Sequence, residues 1–425
     1  MTLFFSNDAS HITVVLLFVF TGVLSFRSEF PTKATVEQNF SWWQLSLSSS
    51  CALSLMILRS LLHHDFGRRC FSSRVIDLRS DTLTAPSQAM KQFGLNSPTG
   101  DDVFGEDPTV LELEEYAANL FGKERGLYVP TGTMANLTAI LAHCHGRASE
   151  IIIGANSHIC LWEGGNIANL GGVHSRQLFE DEEDATLVKD DVRDLRKLDI
   201  DDHWPKTEVL CLENSHNMMG GVALPPSYID DMGALTKELG IALHIDGARI
   251  FNAIVAHDVT PATMCRHADS VAICLSKGLG APLGSVVVGS TEIIRLAKRA
   301  RKRLGGGVRQ AGIVAGMGLF AIQNNVQRLQ DDHDRAKRLG ADLCRHGFYM
   351  LRQGKVDTNI VYFGLPVESN VPRNEFCRRL FDGYGVKVTG GYGPGGSLFR
   401  ACTHLDVTDE DVDLATEAIV RVGLE

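Results

Sequence analysis

The chain has 425 residues, 44% of them hydrophobic and 22% charged, with a formal charge of −10. That length supports a large core and more than one domain, while the acidic excess excludes the clustered basic footprint of a nucleic-acid binder. Ten cysteines without a C-x-x-C pair exclude a disulfide framework or structural zinc site and leave reduced, buried thiols such as Cys144, Cys160, Cys211, Cys274 and Cys402.

Residues 1–74 differ in composition from the rest. Ile12–Leu24 is apolar but shorter than the roughly 20 residues a membrane helix needs. Ser46–Arg74 is rich in Ser, Leu and Arg, with Asp65 as its one acid. That pattern resembles an organellar transit peptide with Arg68 and Arg69 beside the cleavage zone, the alternative being an extension with no targeting role. The expectation is a leader over 1–74 and a protein of the cytosol or mitochondrion.

From Val75 the chain alternates apolar runs with helical patterns. "PTVLELEEYAANLFG" (Pro108 to Gly122) reads as a helix opened by Pro and closed by Gly. "EIIIGA" (150–155), "EVLCLEN" (208–214), "IALHIDG" (241–247) and "SVAICLS" (270–276) read as buried strands, and "YIDDMGALTKELG" (228–240) as a helix between two of them. Continuous apolar strands separated by helices predict an α/β fold, a mainly parallel sheet covered by helices on both faces. After "GIVAGMGLFAI" (312–322) come a long charged helix pattern, a strand "TNIVYFGL" (358–365), a further helix, "VKVTGG" and "LFRACTH". This predicts a large domain over 75–324, whose first ~25 residues pack near a smaller C-terminal α+β domain over 325–425.

Four pieces carry chemistry. In "YVPTGTMANLTAILAH" (Tyr128 to His143) an apolar segment enters a helix through Thr131, Gly132 and Thr133. Free N–H groups, the positive dipole end and two hydroxyls there suit an anion, or only cap the helix. Asp246 ends the strand in "HIDGARIFNA", where parallel strands place their ligands. It could hold a proton on a ligand's ring nitrogen, cap the next helix or pair with Arg249. Lys277, in "CLSKGLGAPLG", follows the last apolar strand and precedes a glycine turn. It is either a Schiff-base nucleophile or a surface lysine, and the glycines permit close approach. That glycine run lacks the G-x-G-x-x-G spacing and is not a dinucleotide fingerprint. Arg400, in "LFRACTH", is either a surface residue or the fork for a substrate carboxylate. Anion cradle, Asp, Lys and Arg in that order fit pyridoxal 5′-phosphate (PLP).

"IDLRSDTLT", "GDDVFGEDPT", "VPTGTMAN", "SHIC", "ENSHN", "HIDGARIFNA", "CLSKGLGAPLGSVVVG" and "RLGGGVRQAG" occur in order from Val75 onward. Through them the chain resembles the L-threonine aldolases, PLP enzymes of fold type I. The resemblance implies PLP-dependent retro-aldol cleavage of L-threonine and L-allo-threonine to glycine and acetaldehyde, in threonine catabolism and glycine biosynthesis. It implies Lys277 as the Schiff-base lysine, Thr131, Gly132 and Thr133 as the phosphate cup, His158 stacked on the pyridine ring and Asp246 on the ring nitrogen. Arg249, beside the cofactor, would hold the substrate carboxylate with Ser80 and Arg400. His216 would stand near the β-hydroxyl, His158, His216 or an ordered water being the base. Lys302 and Arg309 would reach the site of a neighbouring subunit, which implies a homo-oligomer, dimer or tetramer; no metal is implied.

Departures from the family pattern are Phe104 for Tyr, Trp162 for Tyr or Phe, and Ser215 for Thr. The alternatives are another fold-type-I PLP lyase, hydroxymethyl transfer on a β-hydroxy amino acid, or an inactive scaffold.

Overall fold

The computed structural model describes residues 74–198 and 201–425, which fall within one unit, Arg69–Glu425. The leader expected over 1–74, with its apolar stretch Ile12–Leu24, lies outside the described residues apart from Arg74.

A two-residue strand, β1 (Ile76–Asp77), opens the fold. The central sheet takes β2 (Arg125–Val129), β3 (Ser149–Gly154), β4 (His174–Leu178), β5 (Lys206–Glu213), β6 (Ala242–Gly247), β7 (Ser270–Cys274) and β8 (Ser285–Gly289). Their spatial order is β2-β8-β7-β6-β5-β3-β4. β8 is antiparallel to both β2 and β7, and the remaining pairs are parallel. The strands expected at 150–155, 208–214, 241–247 and 270–276 are β3, β5, β6 and β7. The expected helices are Pro108–Leu120 and Pro226–Leu239.

Strand periodicity explains why these runs are apolar throughout. Leu127, Val129, Ala272 and Val287 pack against Ala135, Ala139 and Ala142 of the helix Gly132–His143. Their immediate neighbours Tyr128, Val271, Ile273, Val286 and Val288 face another core with Val110, Leu113 and Leu319. Successive side chains point to opposite faces, so helices cover the sheet on both sides.

The second sheet comprises β9 (Tyr349–Met350), β10 (Ile360–Gly364), β12 (Thr389–Tyr392) and β13 (Leu398–Cys402), antiparallel in the order β12-β13-β10-β9. Between β10 and β12, β11 (Val386–Lys387) pairs in parallel with β1. Its core joins Ile76 and Leu78 to Leu339, Leu343, Phe363 and Phe399. The charged helix pattern begins only at Leu329; the preceding helix, Gly312–Asn324, is capped by Asn325, whose side-chain amide donates to the Leu279 carbonyl at 2.8 Å. From Leu329 its buried positions, including Ala336, Leu339 and Leu343, recur every three or four residues.

The parallel strands all end on one edge. β2 leads into Thr131–Thr133, β3 to His158, β5 to Asn214–Asn217, β6 to Arg249 and β7 to Lys277. Carboxyl ends of parallel strands are where open α/β sheets bind ligands.

Candidate active site

At that edge lies a cavity of about 360 Å³ whose lining includes Thr131, Gly132, Thr133, Asn136, His158, Glu163, Asp246 and Lys277. A second, of about 260 Å³, is lined by Ser80, Thr82, Trp162, Asn217, Arg249, Tyr392 and Arg400. His158 and Lys277 line both, so the two cavities meet at these residues.

The first cavity carries a helix N-terminus and charges of both signs on its wall. Thr131 caps the helix Gly132–His143, its Oγ1 accepting from the Met134 N–H at 3.2 Å. Thr131→Ala is therefore expected to cost about 1 kcal/mol of stability through the lost cap, read from the denaturant midpoint of the ligand-free protein. Lys277 is the one ammonium on this wall. It follows Ser276 in a turn where Gly280 has φ +80, a backbone that β-bearing residues rarely adopt. The same wall carries Asp246, whose Oδ1 accepts from Ala248 N at 3.0 Å and Oδ2 from Asn136 Nδ2 at 2.9 Å. Asp246 is buried and does not pair with Arg249.

His158 is held at two points. Its backbone N–H donates to Glu213 Oε2 at 2.7 Å and its Nδ1 meets Glu163 Oε1 at 3.0 Å. Burial disfavours the charged ring, but the Glu163 hydrogen bond and the Asp246 charge outweigh it and raise the pKa. His158, Glu163 and Asp246 have ligating atoms within 4.8 Å of one another. The Asn136 amide bridges the two carboxylates, and the contact is a hydrogen-bonded network.

Arg400 lies on β13 opposite Tyr362 and Thr389. Its Nη1 donates to Asn217 Oδ1 and its Nη2 to the Arg79 carbonyl, both at 2.9 Å, and its guanidinium stacks over Tyr392 at 5.1 Å. Nε is buried without a partner. Arg249 uses its Nε–Nη2 edge on Asp81, two bonds of 2.8 Å in a buried pair. Burial opposes the Asp81 charge, but Arg249 outweighs it and holds the carboxyl well below the usual carboxylate range. The Arg249 charge is thus already paired with Asp81, whereas Arg400 has no carboxylate partner among the described residues.

His216 is on the wall of neither cavity. The turn after β5 folds back through a His216–Val222 bridge and buries the imidazole, whose Nε2 meets Glu180 Oε1 at 3.1 Å. Burial works against its charged form, yet Glu213 and Glu180 raise its pKa. His158 is the histidine that reaches the cavities, and Asn217 takes the wall position after β5.

Lys302 and Arg309 line neither cavity; Arg309 Nη1 pairs with Asp101 Oδ2 at 3.3 Å and Lys302 lies beside Gly307. Of the three departures, Trp162 lines the second cavity, Phe104 is 75% exposed, and the Ser215 hydroxyl is buried without a partner. Asn136, Glu163, Asn217, Tyr392 and Asp81 are site residues the sequence reading did not single out. Signals existed: Asn136 closes "VPTGTMAN", Glu163 follows "SHIC" closely, and Asp81 adjoins Ser80.

Residues 77–365 match the family described as Beta-eliminating lyase. A probable low-specificity L-threonine aldolase 2 of Arabidopsis thaliana is 43% identical over 351 residues, 82% of this chain and 97% of the relative. A low specificity L-threonine aldolase of Escherichia coli strain K12 is 43% identical over 339 residues, 80% of this chain and 96% of the relative. The crystal structure of a putative L-allo-threonine aldolase from Listeria monocytogenes EGD-E superposes with a TM-score of 0.66 at 18% identity, covering 85% of this chain and 99% of that one.

Proposed function

The chain belongs to the Beta-eliminating lyase family, and from that premise we propose that it is a threonine aldolase, cleaving L-threonine and L-allo-threonine to glycine and acetaldehyde by a retro-aldol reaction. Its cofactor is PLP, and the donor set of the first cavity fits that group. A capped helix N-terminus with Thr131, Gly132 and Thr133 suits the dianionic phosphate. The buried Asp246 carboxylate suits a protonated ring nitrogen, and the Lys277 amine suits the aldehyde. The observation that carries the reading is the junction of two cavities at Lys277 and His158, one built for the cofactor and one walled by arginine.

When bound, PLP supplies an electron sink for whichever Cα bond stands perpendicular to its ring. The protein's part is to choose that bond. Arg400, with Ser80 and the free side of Arg249, would grip the amino-acid carboxylate and so fix which Cα bond is presented for cleavage. His158 donates Nδ1–H to Glu163 and keeps Nε2 to take the β-hydroxyl proton, directly or through a water. Trp162 lines the substrate cavity. We extend the proposal to a homo-oligomer, dimer or tetramer, in which Lys302 and Arg309 face a neighbouring copy. The compartment that fits is the cytosol or mitochondrion.

The test is to mix purified protein, PLP and L-threonine without folate, then assay both products. Glycine and acetaldehyde in equal amounts are the expected result. Turnover only with folate would instead indicate hydroxymethyl transfer, ammonia release would indicate elimination, and no turnover would indicate a scaffold.

A further inference from the structure

Behind the cofactor cavity runs a buried hydrogen-bonded chain of five side chains: Asp246, Asn136, His244, Ser270 and His143. Its proton arrangement follows from chemistry. Asn136 Nδ2 lies 2.8 Å from Glu163 Oε1 and 2.9 Å from Asp246 Oδ2. Facing two carboxylates, that end of the amide has to be the donor, one hydrogen to each. Asn136 Oδ1 is then an acceptor, so His244 Nε2, at 3.2 Å, carries a hydrogen. Burial and the neighbouring His143 push His244 down to about 3, and burial pushes His143 down to about 4. His244 is therefore neutral near pH 7, and its bare Nδ1 accepts from the Ser270 hydroxyl at 2.8 Å. Ser270 Oγ in turn accepts from His143 Nε2–H, also at 2.8 Å. One direction of hydrogen bonding satisfies every link.

We infer that Asn136 is a positioning residue: its amide holds Asp246 as an acceptor aimed at the cofactor, ties it to the Glu163–His158 pair, and is itself locked in orientation by His244, Ser270 and His143. The inference rests on the PLP reading above. It explains why the position needs an amide. A carboxylate at 136 would place a third negative charge between two others, and an apolar residue would leave both acceptors without that donor in a buried site. It also gives Glu163 Oε1 two donors, the Asn136 amide and His158 Nδ1. The imidazole in the cavity and the carboxylate at its floor thus share one anchor.

The test is a double-mutant cycle of Asn136→Ala and Asp246→Asn. The readouts are the PLP dissociation constant, steady-state kinetics with threonine, and the melting temperature of the PLP-free protein. Asn136→Ala is expected to weaken PLP binding roughly 10–100-fold, the range by which outer-shell partners tune a bound group, and to lower kcat more than it changes KM. In the Asp246→Asn background the same substitution is expected to change PLP affinity by less than about threefold, because contacts in one network do not add. Additive losses, or a fall in melting temperature with PLP affinity unchanged, overturn the inference. Should Asn136→Ala not fold, Ser270→Ala decides. It removes one hydroxyl from the lock and is expected to weaken PLP binding by about threefold or more; unchanged affinity overturns the inference. Wild-type protein that takes up no PLP defeats the functional reading as well, whereas wild type that binds PLP beside an additive cycle defeats this inference alone.

Discussion

Lys277→Ala is expected to abolish threonine cleavage, with kcat falling a thousandfold or more, about 4 kcal/mol of barrier at 1.36 kcal/mol per decade. Among the described residues Lys277 is the only lysine on either cavity wall, so none of their amines stands ready to replace it as the nucleophile for the PLP aldehyde. Its position is set by backbone. β7 ends at Cys274, Leu275 N–H donates to the Gly284 carbonyl and Gly280 N–H to the Lys277 carbonyl. At Gly278 an added Cβ would come 2.9 Å from Leu329 Cδ2, so the backbone just after Lys277 is closely packed. The variant should still fold and take up PLP non-covalently at the capped helix end. It should lack the visible absorbance of the lysine-linked cofactor. Borohydride treatment followed by mass analysis checks this: a reduced PLP adduct on the variant protein would refute the assignment of Lys277.

Much of this site was legible because strand ends are legible. β3, β5, β6 and β7 announce themselves as uninterrupted apolar runs, and the residue types after β6 and β7, Asp246–Arg249 and Lys277, carry their chemistry openly. β8 was not read as a strand. "SVVVG" follows a glycine turn so closely that it merges with the loop, and its antiparallel direction has no local signature. Pairings across long separations were equally hidden. Arg249 stands 168 residues from Asp81, and either could have had another partner. Local spacing offered Asp246 as Arg249's neighbour, but after β6 Asp246 turns to Asn136 and the Ala248 N–H instead. His216 is placed by contacts distant in the chain. "ENSHN" gives the residue type, while the side chain's direction depends on the fold-back to Val222 and on Glu180, which stands 36 residues away.

Removing the Arg400 guanidinium, as in Arg400→Ala, is expected to lower kcat/KM for threonine by about 2–5 kcal/mol, the cost of truncating one partner of a buried charge pair. That corresponds to roughly 30-fold to several thousandfold at 1.36 kcal/mol per decade. Arg400→Lys is expected to leave PLP binding intact and to raise KM for threonine sharply; it keeps the charge, so any loss measures geometry. Arg400 does not hang from a flexible loop. Its strand is paired on both sides, to Tyr362 and Thr389, and its two Nη atoms are fixed by Asn217 from the turn after β5 and by the Arg79 carbonyl from the N-terminal segment. Tyr392 closes one face of the guanidinium. These contacts leave a planar fork at the cavity, a shape that an ammonium on a flexible stem cannot reproduce. A lysine at 400 would attract the carboxylate without orienting it. KM should rise first. kcat should fall with it, because a carboxylate free to swing no longer keeps Cα–Cβ perpendicular to the ring, and part of the bound substrate then stands in an unreactive pose. The residues of the first cavity do not include Arg400, so cofactor content should match wild type. Measuring PLP stoichiometry beside steady-state kinetics separates the outcomes. Loss of PLP with unchanged KM in the remaining holoenzyme would make Arg400 a structural strut between β13 and the Arg79 segment, and the substrate carboxylate would then have to be held by Ser80 and the Nη1 side of Arg249.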